Sequence, residues 1–179
     1  MTILVLAALS ILAGQAPAAP MSGTWKIAIC KSEPCSVDDT ASAHVHGFVV
    51  FSDGAVTLDM FPAETRRLLS TGVRPGAPAN GCFALVRNTP ALRTYAGIRQ
   101  AGLIMWSAGA GGTEVRFPLY QSLDASHRVT ARVSGGELRG TGVSSGARSA
   151  APPSDWGGDI VVGRRVGPAD IAPCVEAAK

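Results

Sequence analysis

The sequence predicts an all-β fold: an antiparallel, up-and-down β-barrel of about eight or nine short strands with a short C-terminal helix or tail, a β-sandwich being the alternative. Three observations predict it. Apolar residues recur at every second position in short runs. Glycine-containing dipeptides suited to two-residue turns, Asp53-Gly54 and Gly135-Gly136, sit between such runs. Helix signals are confined to short stretches. Simple hairpin connections favour the barrel over the sandwich.

Gly23-Thr24-Trp25-Lys26-Ile27-Ala28-Ile29-Cys30 reads as the first strand. Phe48 to Phe51 and Ala55 to Met60 flank Asp53-Gly54, a dipeptide preferred in type I′ hairpins. That register puts Val49, Phe51, Val56, Leu58 and Met60 on one face and His46, Phe48, Val50, Ser52, Thr57 and Asp59 on the other. One apolar face beside a mixed one is the pattern of a sheet over a core. Pro62 to Leu69 reads as a helix with Pro62 in its first turn, where a missing N–H does no harm. Cys82 to Arg87 is a strand, and Pro90 to Tyr95 a short helical turn.

Leu103 to Trp106 and Val115 to Tyr120 are strands on either side of a glycine-rich loop, Ala108 to Gly112. Pro118 cannot donate to a ladder, so its strand lies at an edge or carries a bulge. Arg128 to Ser134 and Glu137 to Val143 flank Gly135-Gly136 as a second hairpin. Val129, Ala131, Val133 and Leu138 share its apolar side with Gly140 and Gly142, whose missing side chains suggest close packing or a bend. Arg132 and Arg139 fall opposite each other, an unfavourable pairing unless a carboxylate such as Glu137 or an anionic partner is near. Asp159 to Val166 is the last strand, after a loop with Pro152-Pro153, and Ala169 to Ala178 a short helix or tail.

Residues 1–19 read as a cleaved signal peptide and 20–179 as a single disulfide-stapled barrel domain. The apolar run from Ile3 to Ala13 is far shorter than the about 20 residues a spanning helix needs. It suits the apolar region of an export signal, with short side chains at Ala16-Pro17-Ala18 and Ala18-Ala19-Pro20 for the peptidase. No Lys or Arg precedes it. Leu12-Ala13-Gly14-Gln15 has the form of a lipoprotein box with Gln in place of the acylated Cys, so no lipid anchor is expected. No membrane span is expected either. These features describe an exported, bacterial-type product, periplasmic or secreted.

The remaining chain, about 160 residues, is the length of one domain. Its formal net charge is +3, with Arg scattered along the chain. A nucleic-acid partner would need a concentrated basic stripe, so that class is set aside. Cys30, Cys35, Cys82 and Cys174 are an even count in an exported chain, which argues for two disulfides. Of the three possible pairings we favour Cys30–Cys35, across a turn at Pro34, and Cys82–Cys174, tying the tail to the middle of the domain. A four-cysteine zinc site lacks the two close pairs it needs.

Gly23-x-Trp25 on the first strand resembles the first motif of the lipocalins. The resemblance implies an eight-stranded barrel whose Trp25 closes one end, beneath an arginine from the last strand, Arg164 or Arg165. A disulfide from the C-terminal segment to a barrel strand is also similar to that family, whereas its later Thr-Asp-Tyr motif is absent. Gly167-Pro168-Ala169-Asp170 through Cys174 resembles the ending of uncharacterised exported bacterial proteins and implies no activity.

No catalytic or cofactor motif stands out. His44-x-His46 is a conceivable metal pair, with His127 as a distant third ligand, but its expected face is the mixed, outward one. Gly140-Thr141-Gly142-Val143-Ser144-Ser145-Gly146 is neither a nucleophile elbow nor a phosphate loop, since no helix follows it. Trp106 to Gly112 could line a barrel mouth. The leading expectation is therefore a barrel holding a small apolar or amphipathic ligand. The alternative is an exported interaction module, an inhibitor or envelope assembly factor with a protein partner and no ligand.

Overall fold

A computed structural model of the chain describes residues 21–71, 73, 78–88, 98–109, 111–121, 125–146 and 158–179. The expected signal peptide, the helical turn at 90–95 and the Pro152-Pro153 loop lie outside them. The strands are β1 (Gly23–Cys30), β2 (Val45–Val56), β3 (Ser70–Thr71), β4 (Ala79–Arg87), β5 (Ile98–Ile104), β6 (Ser107–Ala108), β7 (Glu114–Gln121), β8 (Ala125–Ser134), β9 (Glu137–Gly146) and β10 (Asp159–Gly167). Among the described residues there are two short α-helices, α1 (Ala63–Arg66) and α2 (Ala172–Ala177).

Nine antiparallel strands form one curled, half-barrel sheet, to which β3 adds in parallel beside β5. Its order is β3-β5-β4-β2-β1-β10-β9-β8-β7-β6. The first and last long strands pair, so the eight long strands follow one another as in an up-and-down barrel. The seam lies between β5 and β7, which share no ladder among the described residues. One sheet, rather than the two of a sandwich, encloses the core. Register shifts at Thr24/Trp25, Phe51/Val56 and Pro118/Tyr120 interrupt the ladders, the last being the irregularity Pro118 demands.

The inner face is apolar along every wall. Trp25, Ile27 and Ile29 of β1, Val49 and Phe51 of β2, Phe83 of β4, Val115 and Phe117 of β7, Val129 of β8, Leu138 of β9 and Val161 of β10 belong to one buried cluster. Phe51 and Phe117 stand on strands that are not neighbours, yet their ring centroids are 5.0 Å apart. That contact crosses the interior: the barrel is filled by its own side chains. At one end Trp106 packs on Phe51 at 5.4 Å. Asn80 clamps it there, accepting from the Trp106 backbone N–H at 2.8 Å and donating to its carbonyl at 3.1 Å.

The second hairpin forms as the sequence predicts. Gly135 and Gly136 have φ of 58° and 83°, the left-handed pair a type I′ turn requires, and Ser134 opposes Glu137. A Cβ on Gly140 would lie 2.1 Å from the Thr130 carbonyl oxygen, so close packing explains that glycine. The first hairpin does not form. β2 runs straight through Asp53-Gly54, and Gly54 is not in the left-handed region. β2 pairs instead with β1 and β4, where Val49 meets Phe83 and Val50 meets Cys82. Val56 therefore turns to the outer face, and Leu58 and Met60 lie exposed in a 3-10 turn. The expected helix over 62–69 shortens to α1, and the strand expected at 103–106 starts at Ile98 and ends at Ile104.

The outer face divides into three sectors. Over β2, β4 and β5, α2 and the residues around α1 build a second apolar cluster with Val50, Phe61, Cys82, Leu103 and Cys174, pinned by the Cys82–Cys174 disulfide. Over β1 and β10, the strap between β1 and β2 lays Val37 and Ala43 on Ala28, Cys30 and Val162, with the Cys30–Cys35 disulfide at its root. Over β8 and β9, the outward side chains Arg128, Thr130, Arg132, Arg139, Thr141 and Val143 are exposed.

Candidate functional site

Side chains alternate across a strand, so a column of every second residue lines the interior. Several columns end in a polar residue at the end of the barrel away from Trp106. Ile29 is followed by Lys31, Val161 is preceded by Asp159, Val129 by His127, and Leu85 is followed by Arg87. His44 completes the ring from the bend just before β2, where its N–H donates to the Ile29 carbonyl at 3.0 Å.

Asp159 is the hub. Its residue is 6 % exposed, and it opposes Gly142 in the ladder. Lys31 Nζ donates to Asp159 Oδ1 at 2.6 Å. His44 Nε2 and His127 Nε2 both lie 3.6 Å from Asp159 Oδ2. These are electrostatic approaches too long for hydrogen bonds. His44 Nδ1 and His127 Nε2 are buried with no hydrogen-bond partner. Burial holds both imidazoles below their ordinary pKa of 6.5, against the opposing pull of Asp159; Lys31 and Arg87 push the same way as burial. Arg87 Nε donates to Gln100 Oε1 at 3.3 Å on the same rim. Both rings are therefore neutral near pH 7, and Lys31 carries the charge that balances Asp159.

The glycine opposite Asp159 makes this arrangement possible. A Cβ on Gly142 would sit 2.4 Å from His127 Nε2. Gly142→Ala is expected to push the His127 ring outward into water. Its titration, followed by NMR, then rises toward the ordinary histidine value. A ring that titrates unchanged in that variant would place it elsewhere.

The structure splits the histidine pair considered from sequence. β2 begins at Val45, so alternation does not extend back to His44, which turns inward to meet His127. His46 stays on the outer face beside Lys26, its pKa lowered by partial burial and by that cation. Among the described residues no group of three His, Cys, Asp or Glu side chains is arranged to hold a metal ion. Sequence reasoning missed Asp159 and Lys31 as partners. The signal was present, since each continues a buried column at a spacing of two.

Trp25 is fully buried and its Nε1 donates to the Met21 carbonyl at 3.0 Å. Arg165 lies across Gly23, where a Cβ would come 2.4 Å from its Nε, and it donates to the Ser22 carbonyl at 3.2 Å. Arg164 instead grips Asp38 with both terminal nitrogens, at 2.7 and 3.1 Å. On the outer face Arg132 does oppose Arg139. The neighbouring carboxylate is Glu33 from the strap, paired with Arg139, rather than Glu137. Arg116 pairs with Glu114. Comparison of the chain with known protein families, with curated proteins and with solved structures found no match.

Proposed function

We propose that this chain is an exported interaction module, of the inhibitor or envelope-assembly kind, which works through its outer surface and carries no small-molecule cargo. The observation that carries this reading is the filled interior. Phe51 meets Phe117 across the barrel, Trp106 covers one end, and the charged ring occupies the other. A carrier of apolar ligands needs a cavity where these side chains stand. Among the described residues, the chain's own α2 and strap cover two of the three outer sectors, and the face of β8 and β9 is the one that stays exposed to meet a partner. Arg128 and Arg132 stand there exposed, and an anionic partner surface would complement them. Export rests on the leader-like residues 1–19 and on the two disulfides, which fit an oxidising, extracellular-type compartment.

The test is native mass spectrometry of protein recovered from the periplasm, together with a photo-crosslinker at Thr130. A bare mature mass and a trapped envelope protein are expected, with trapping lost in the Arg128→Glu, Arg132→Glu double variant. A co-purifying lipid-like molecule, or trapping that survives the charge reversal, overturns the reading.

A further inference from the structure

We propose that the ring around Asp159 is an acid-operated latch, which holds the strap between β1 and β2 on the sheet near neutral pH and loosens it in mildly acidic conditions. The strap runs from Lys31 to His44, and both of these end residues approach the same carboxylate, at 2.6 Å and 3.6 Å. Asp159 thus stands between the two ends of one segment, hydrogen-bonded to Lys31 and beside the His44 ring. Backbone bonds complete the attachment at the far end: His44 N–H to the Ile29 carbonyl at 3.0 Å, and Asn88 N–H to the His44 carbonyl at 2.7 Å. The Asn88 side chain donates to the carbonyls of Thr40 and Ala43.

The charged and titratable groups facing this clasp come from five elements. Lys31 follows β1, His44 precedes β2, Arg87 ends β4, His127 lies on β8 and Asp159 begins β10. With neutral imidazoles, Lys31 is the cation that Asp159 holds, and Arg87 acts on both rings from the rim. With both imidazoles protonated, three cations crowd one carboxylate. Asp159 Oδ2 is the single oxygen within reach of both rings, since Lys31 holds Oδ1. The second imidazolium therefore adds more repulsion than attraction, inside a region that also charges it for lost hydration.

The direction of the effect follows from linkage. Both folded-state pKa values lie below 6.5, so the opened form binds more protons than the latched form as pH falls through that value. Stability of the latch is fully present above pH 6.5 and is lost progressively below it, down to the folded pKa values. Opening has a surface consequence. The strap carries Glu33 and Asp38, which pair with Arg139 and Arg164 of the outer face, and Lys26 is also within 3.7 Å of Asp38. Acid would release these cations from their carboxylates while the Cys30–Cys35 disulfide keeps the strap tethered. The latch stands on the ring alone, whatever the outer face engages.

Amide hydrogen exchange on the full chain tests it, read at about pH 7.5 and about pH 5.5 after correction for the intrinsic pH dependence. Protection at the His44 and Asn88 amides is expected to fall several-fold at the lower pH, while Val133 in the β8–β9 hairpin keeps its protection. The His44→Gln, His127→Gln double variant is expected to lose that difference. Protection that stays flat in the wild type, or a pH response that survives in the double variant, overturns the latch. Should the double variant not fold, NMR titration of the wild-type rings decides: both titrating below 6.5 supports the latch, and either at or above 6.5 overturns it.

Discussion

Phe51→Ala is expected to destabilise the domain by about 3–5 kcal/mol, the range for removing a fully buried aromatic side chain from a core. Phe51 has no exposed surface, and its ring touches three others: Trp25 at 6.3 Å, Trp106 at 5.4 Å and Phe117 at 5.0 Å between centroids. These partners come from β1, from the segment after β5 and from β7. Phe51 therefore links the paired side of the barrel to the two sides of the seam, across which the described residues form no ladder. Truncation leaves a void that the rigid walls cannot close. Phe51→Leu keeps most of the volume and forfeits mainly the ring–ring contacts, about 0.5–1.5 kcal/mol per pair at most. Urea unfolding of both variants checks this, read as a shift in midpoint at constant slope. A loss below about 1 kcal/mol for Phe51→Ala would mean that the interior collapses easily or was never filled, and would reopen the cargo reading.

The contrast between the two glycine turns explains how much of the fold was legible. Gly135-Gly136 was readable because what the turn needs is local: two residues free to take positive φ, between strands that pair with each other directly across it. Asp53-Gly54 carries the same signal, but the residues before it had better partners far along the chain. Val49 gains Trp25 on one side and Phe83 on the other, which a local hairpin with Ala55 to Met60 could not match. Long-range pairing overrode turn propensity there, and it brought Val50 and Val56 under α2 on the outer face. Period two was read correctly for Phe48 to Phe51 and failed beyond them; the partner was not read, because no local feature of residues 48–60 names β4.

The site was legible in its parts and not in its assembly. His127 was considered only as a remote companion to His44 and His46, because ligand spacing along the chain is a poor guide when a sheet brings distant strands together. Lys31, Arg87, His127 and Asp159 share one property in the sequence: each lies two positions beyond a buried apolar residue at the end of a strand. Read as the last rung of an inward column, such a residue marks the rim of a barrel. Four rims meeting at one end then predict a polar ring. What the sequence cannot supply is the curl, which comes from accumulated twist and from the bulges at Thr24/Trp25 and Pro118/Tyr120.

Replacing Cys82 and Cys174 together by Ser is expected to cost about 4–5 kcal/mol as an upper value, against about 2 kcal/mol for the Cys30, Cys35 pair, because the entropy a crosslink removes from the unfolded chain grows with loop length. The loops span 92 and 5 residues. Loop entropy is only part of the difference. Cys82 and Cys174 are fully buried within the cluster that α2 forms with Val50, Phe61 and Leu103. α2 has only six residues, too few to be stable alone, so the disulfide keeps it seated over β4. Its departure would uncover Val50, Ala84 and Leu103 on the outer face of the sheet. Denaturant midpoints of the two double variants, each compared with the oxidised wild type, separate these contributions. Equal losses would mean that strain or residual structure in the unfolded chain offsets the long-loop advantage. A larger loss for the short pair would place the weight on the strap, and so on the ring around Asp159 that fastens it.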